Sequence, residues 1–108
     1  MTDKIAVLST CESEEQALRI ARRLLERRLA ACVNIVPGMT SVYRWKGAVE
    51  ESREWLLVIK TRRELFGSLR AEIEREHSYE VPEVVALPIV DGAEAYLRWL
   101  EAETGRGT

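Results

Sequence analysis

The run His77-Ser78-Tyr79-Glu80-Val81-Pro82-Glu83 holds the chain's only histidine, with a phenol and two carboxylates close behind it. Imidazole, phenol and carboxylate are proton-transfer groups when a fold holds them together. His77 and Glu80 are also metal-ligand types, and Cys32 and Cys11 add thiols whose softness suits Cu(I) or Zn. Spacing limits both readings. There is no Cys-x-x-Cys or His-Glu-x-x-His pattern, so a tetrahedral site within one chain is not expected, whereas a site shared between subunits stays open. A cysteine on an apolar strand is more often a small core residue than a ligand. A histidine at the end of a helical stripe more often caps carbonyls. No Gly-x-Ser-x-Gly elbow sets up a nucleophile, no catalytic residue is assigned, and the chain is not expected to be an enzyme. The turns Thr10-Cys11-Glu12-Ser13 and Lys60-Thr61-Arg62-Arg63 lack the glycine cluster of a phosphate cradle. The cysteine run of an iron–sulfur site is missing too.

The elements that must position these groups follow from periodicity. Ile5 to Thr10 is a short apolar run that reads as a buried strand. Ser13 and Gln16 form a capping box, and Ala17, Leu18, Ala21, Leu24 and Leu25 follow at helical spacing to near Arg28. Ala31 to Val36 is a second strand, bent or interrupted by Pro37-Gly38 and resuming from Thr40 to Trp45. Lys46-Gly47 makes a hairpin turn into a third strand from about Val49 to Lys60. Thr61 and Glu64 read as a second capping box, ahead of a helix carrying Leu65, Leu69, Ile73 and His77 at intervals of four. Val84 to Ile89 is the fourth strand. Asp91 and Glu94 open a last helix with Tyr96, Trp99 and Leu100 on one side, and Gly105 lies just past its end. The order is β-α-β-β-α-β plus a terminal helix, an α+β, ferredoxin-like arrangement with an antiparallel sheet and a long central hairpin.

One domain accounts for residues 1–108. The formal charge of −2, with sixteen basic residues dispersed among eighteen acids, leaves no basic footprint for nucleic acid. No apolar run approaches membrane-spanning length, so no membrane partner is expected. The opening Met1-Thr2-Asp3-Lys4 lacks a signal-peptide pattern, and two distant cysteines make no disulfide framework, so the expected compartment is the reducing cytoplasm. Trp55-Leu56-Leu57-Val58-Ile59 and Val84-Val85-Ala86-Leu87 are apolar on both faces, whereas a sheet with one wet face should alternate. Two crossover helices cover a single face, the terminal helix can cover part of the other, and a second copy of the chain is the economical cover for the rest. Tyr43 and Trp45 near the hairpin tip, with Trp55, are the expected interface aromatics.

Taken together, Ala31-Cys32-Val33-Asn34-Ile35-Val36-Pro37-Gly38, Thr40-Ser41-Val42-Tyr43-Arg44-Trp45-Lys46-Gly47, Ile59-Lys60-Thr61, the His77 to Glu83 run, Ala86-Leu87-Pro88-Ile89 and Tyr96-Leu97-Arg98-Trp99-Leu100 resemble the CutA family of divalent-cation-tolerance proteins. The match covers nearly the whole chain in order. It departs from the family's habit at Ser78 and at Glu12, where a proline is common. The resemblance implies a homotrimer and an association with tolerance to copper and other divalent cations. No cofactor is required on this reading, and weak Cu or Zn binding at subunit boundaries is the corresponding expectation, with Cys32, His77 and Glu80 as candidate ligands. The family's trimer also looks like that of PII signalling proteins. That likeness implies an alternative, a small-ligand sensor with Lys60, His77, Tyr79 and Glu80 in an intersubunit groove.

Overall fold

The computed structural model describes residues 2–106; Met1, Gly107 and Thr108, within the expected domain of 1–108, lie outside the described residues. Strand β1 is Lys4–Cys11 and helix α1 is Glu14–Glu26. The Ser13 side chain accepts from the Gln16 backbone N–H at 3.1 Å, satisfying one of the helix's free donors as the capping pattern requires. Ala17, Ile20, Ala21 and Leu24 form its buried stripe. Strands β2 (Cys32–Trp45) and β3 (Ala48–Arg62) make the long hairpin. Its turn, Lys46-Gly47, has φ of 50° and 84°, the doubly left-handed turn that matches strand twist. Pro37-Gly38 bends β2 without ending it: the register jumps between Val36 and Met39, and Gly38 takes φ 72°. Helix α2 is Phe66–Glu76, strand β4 is Val85–Pro88, and helix α3 is Glu94–Glu101.

The sheet order is β2-β3-β1-β4 with every neighbouring pair antiparallel. That is the expected split βαβ topology. Helices α1 and α2 pack on one face, where Ile5, Val7, Leu57 and Ile59 meet Ile20, Leu24, Leu69 and Ile73 in a single core. The other face follows from strand alternation and carries Leu8, Leu56, Val58, Val36, Val85 and Leu87. The three on the outer strands, Val36, Val85 and Leu87, are 45%, 46% and 48% exposed. Helix α3 and the turn after it cover one end of this face. Arg62, buried, donates to Thr104 Oγ1 and to its carbonyl at 2.8 Å each and pairs with Glu64 at 2.6 Å. Lys4 bonds Asp3 and Glu101. Burial opposes the charge on Lys4, but these two carboxylates outweigh it and hold the ammonium above its ordinary range.

Several sequence expectations need correction. Thr61 does not cap a helix: β3 runs on to Arg62 because Lys4 pairs with Arg62 across the ladder, and the Thr61 hydroxyl donates to the Leu29 carbonyl at 2.7 Å. A short turn, Arg63–Leu65, follows without a side-chain cap, and α2 begins only at Phe66. His77 is not on the helical stripe. It has φ −84° and ψ 145°, so the chain has already become extended there. The last helix lacks an Asp91 cap; Ala93 occupies that place, and Asp91 accepts from the Gly92 N–H instead. Tyr96 and Trp99 stack against each other at 5.5 Å with 42% of each exposed, while Leu100 is buried.

Candidate functional site

The end of β1, the segment after α2 and the middle of the hairpin converge at one end of the sheet. Having left the helix, His77 turns its ring back onto β1. Its Nε2 lies 2.7 Å from the Thr10 carbonyl oxygen and 3.9 Å from Cys11 Sγ. The Tyr79 backbone N–H donates to His77 Nδ1 at 3.1 Å. Because Nδ1 accepts, the ring hydrogen belongs on Nε2, which donates to Thr10. Both nitrogens of the neutral ring are thereby engaged. A metal would have to displace one of these bonds to use this imidazole.

Tyr79 packs its ring at 4.7 Å from that of His77 and points its hydroxyl at Glu54, donating to Oε2 at 2.6 Å. Glu54 sits opposite Met39, just beyond the bulge, and is 6% exposed. Burial, then the Glu54 carboxylate, holds the Tyr79 phenol well above its ordinary range. Burial, then Glu54, pushes the Cys11 thiol up to about 11. The phenol and the thiol therefore ionise less readily than they would in water.

A cavity of about 650 Å³ opens between the hairpin and the segment after His77. Tyr43, Trp45 and Tyr79 contribute rings to its lining, and Glu54, Glu80 and Glu83 contribute carboxylates. At its rim Lys46 pairs with Glu80 at 3.6 Å and lies 5.4 Å from the centre of the Trp45 ring.

Of the residues singled out from the sequence, Tyr79 and Glu80 share this cavity, and His77 supports it from behind. Cys32 and Lys60 stand elsewhere. They are directly paired across β2 and β3, and Asn34 Oδ1 accepts from both side chains. Along β3, Lys60 is five positions from Trp55, which pairs with Cys11. That is roughly 17 Å of strand between Cys32 and the His77 cluster. Cys32, His77 and Glu80 are thus not brought together within one chain. Among the described residues, no three His, Cys, Asp or Glu side chains gather as a metal site. Tyr43 and Trp45 remain 41% and 38% exposed, and Trp55 packs against the core of its own chain.

Sequence reasoning missed Cys11 as the neighbour of His77 and Glu54 as the partner of Tyr79. A signal existed for the second. Glu54 directly precedes the apolar run Trp55–Ile59, where a carboxylate has little reason to stand unless something bonds it. For the first, only the alignment of strand and helix ends brings residues 66 positions apart into contact.

The family model for the CutA1 divalent ion tolerance protein matches residues 5–103. The divalent-cation tolerance protein CutA of Thermus thermophilus is 54% identical over 99 residues, which cover 92% of this chain and 96% of that protein. A chloroplastic CutA protein of Arabidopsis thaliana is 46% identical over 100 residues, covering 93% of this chain but 55% of the plant protein. A solved structure of the divalent cation tolerance protein from Thermus thermophilus superposes with a TM-score of 0.92 at 53% identity, covering 94% of this chain and 99% of that one. With the match running from β1 through the terminal helix, and with the same fold beneath it, the chain belongs to the CutA1 divalent ion tolerance family.

Proposed function

We propose that this chain acts as a homotrimeric, cytoplasmic protein of divalent-cation tolerance that takes up Cu or Zn weakly where subunits meet, and that it is not an enzyme. The observation that carries the assembly is the uncovered sheet face. Leu8, Leu56 and Val58 are half-buried in the single chain, and Val36, Val85 and Leu87 lie open beside them. An apolar surface of this kind is covered by association. Three copies is the number the family resemblance implies. Cys32 lies on this face, apart from His77, so ligands shared between copies are the arrangement in which both could serve one ion. The free thiols Cys11 and Cys32 fit a reducing compartment. Among the described residues no helix is long and apolar enough to cross a membrane. The names of the relatives describe no reaction, and the thiol and the phenol are shifted further from neutral pH, the opposite of the tuning that proton transfer there asks for.

Equilibrium dialysis against copper and zinc tests the metal part. The protein should retain more ion than a Cys32→Ala/His77→Ala variant of unchanged oligomeric state, and equal retention refutes the shared site. Light scattering at micromolar protein tests the assembly: a mass of three chains is expected, and a monomer overturns it.

The cavity favours a second reading, a small-ligand sensor. At about 650 Å³ it has the size of a ligand pocket, and Tyr79 and Glu80 lie in its wall. Lys60 and His77 do not line it within one chain. A thermal-shift panel of metabolites and nucleotides should raise the melting temperature for at least one member, and a flat response counts against a sensor.

A further inference from the structure

The wall of the cavity specifies a ligand chemistry. Tyr43, Trp45 and Tyr79 offer aromatic surface, Glu54, Glu80 and Glu83 offer negative charge, and no Lys or Arg is among the lining residues. Two further observations separate this from a solvated acidic surface. The first is Glu54. It is 6% exposed and accepts from the neutral Tyr79 hydroxyl, yet among the described residues no cationic side chain pairs with it. A carboxylate taken out of water with one neutral donor carries a desolvation cost that a cation would offset. The second is Lys46, whose ammonium already sits against the Trp45 ring and the Glu80 carboxylate together. An alkylammonium is therefore held at this rim by a ring face and a carboxylate at once, the two attractions that recognise organic cations.

We propose that the cavity binds a linear alkylammonium ligand, a diamine or polyamine, with one ammonium against Glu54, its methylenes along the Tyr43 and Trp45 rings, and its second charge held by Glu80 and Glu83. A bare metal ion fits less well. The carboxylates do not gather as a metal site among the described residues, whereas a long dication spans separated charges and covers aromatic surface between them. Lys46 is then an internal competitor, its own four-carbon stem and ammonium standing where the ligand's outer end would go. The inference rests on the small-ligand reading and names its ligand class. It is independent of Cys32.

Isothermal titration of the assembled full chain with spermidine at physiological ionic strength tests it. Saturable binding is expected. Glu54→Gln should weaken it by about tenfold or more, the cost of losing a desolvated charge partner. Trp45→Leu should weaken it by roughly threefold. Lys46→Ala should tighten binding a few-fold, while Arg44→Ala, the same change of charge two residues away, should leave it within about twofold; a general charge attraction would treat the two alike. If Glu54→Gln does not fold, Trp45→Leu and the Lys46/Arg44 comparison carry the test. The proposal is overturned by the absence of saturation at millimolar spermidine, as when a second copy's side chains already fill the cavity. It is overturned equally by displacement with MgCl2 at matched charge, or by a folded Glu54→Gln protein that binds unchanged. A neutral or anionic metabolite that shifts the melting temperature where spermidine does not rejects the cation class and leaves the small-ligand reading standing. No shift from any compound removes both.

Discussion

His77 and Cys11 sit side by side, but neither is free for chemistry as it stands. The imidazole spends one nitrogen on Thr10 and the other on Tyr79, so its role in the single chain is to bind the segment after α2 to the end of β1. Cys11 is fully buried, and burial is the main reason its thiol rises from an ordinary 9.0 to about 11. Its sign in stability is fixed by linkage. In the unfolded chain the thiol ionises near pH 9.0, in the native chain only near 11, so between those values the native state holds more protons. Stability therefore falls as pH rises through that window. Urea melts from pH 8.5 to 11 should show this decline, and Cys11→Ala should start from lower stability but decline less steeply. A parallel measurement with a thiol reagent at pH 8 should modify Cys32, half-buried at a strand end, before Cys11. Fast modification of both in the native protein contradicts the burial argument.

At the scale of elements, α1 and α2 are joined by charge as well as by the apolar core. Glu72 on α2 is 2% exposed and meets Arg23 of α1 and Arg27 just past the end of α1, each at 3.2 Å, and Arg75 of its own helix at 2.7 Å. The three arginines keep about half of their side chains in water, so the cluster is a buried anion with hydrated cations around it. Losing one arginine leaves two to compensate. Losing the carboxylate leaves three like charges together and removes the charge-assisted bonds that Glu72 makes between the helices. Glu72→Ala should lower the unfolding free energy from urea melts by about 2–3 kcal/mol, and Arg27→Ala by less than about 1 kcal/mol. Equal losses would show that the network acts pairwise. The same scale explains the misplaced start of α2. A Thr-x-x-Glu spacing is a valid local signal, but the ladder from Lys4 to Arg62 extends β3 through Thr61, and pairing across a sheet outweighs a single cap.

For the whole molecule, the single chain is elongated, 46 × 26 × 23 Å, because the hairpin runs on past the helices that cover the rest of the sheet. The sheet face away from α1 and α2 is closed at one end, where Arg62 and Lys4 hold Thr104 and Glu101, and apolar beyond it. Val85 tests the consequence. It lies opposite Leu8 on this face and is 46% exposed in the single chain. A lysine there can keep its charge in water in a monomer but not in an apolar interface. Val85→Lys should leave the far-ultraviolet circular dichroism of the chain unchanged and lower its light-scattering mass to that of one copy. A Val85→Lys protein that keeps the mass of the unsubstituted assembly would place the interface elsewhere.

The elements and their order were legible from the chain alone, because each rests on local physics. Ser13 caps its own helix, Lys46-Gly47 takes the backbone angles its hairpin needs, and strands apolar on both sides put apolar residues on both faces of the sheet. Tyr79 and Glu80 were legible as neighbours because they stand close together in a break between elements, and both line the cavity. What only the tertiary structure decided are the long-range meetings: Cys11 with His77, Glu54 with Tyr79, and the separation of Cys32 from both. These depend on register and on where strands and helices end in space. A shift of one or two residues in β3, invisible to a periodicity argument, determines whether Thr61 caps a helix or closes a ladder, and whether Glu54 faces a phenol or water.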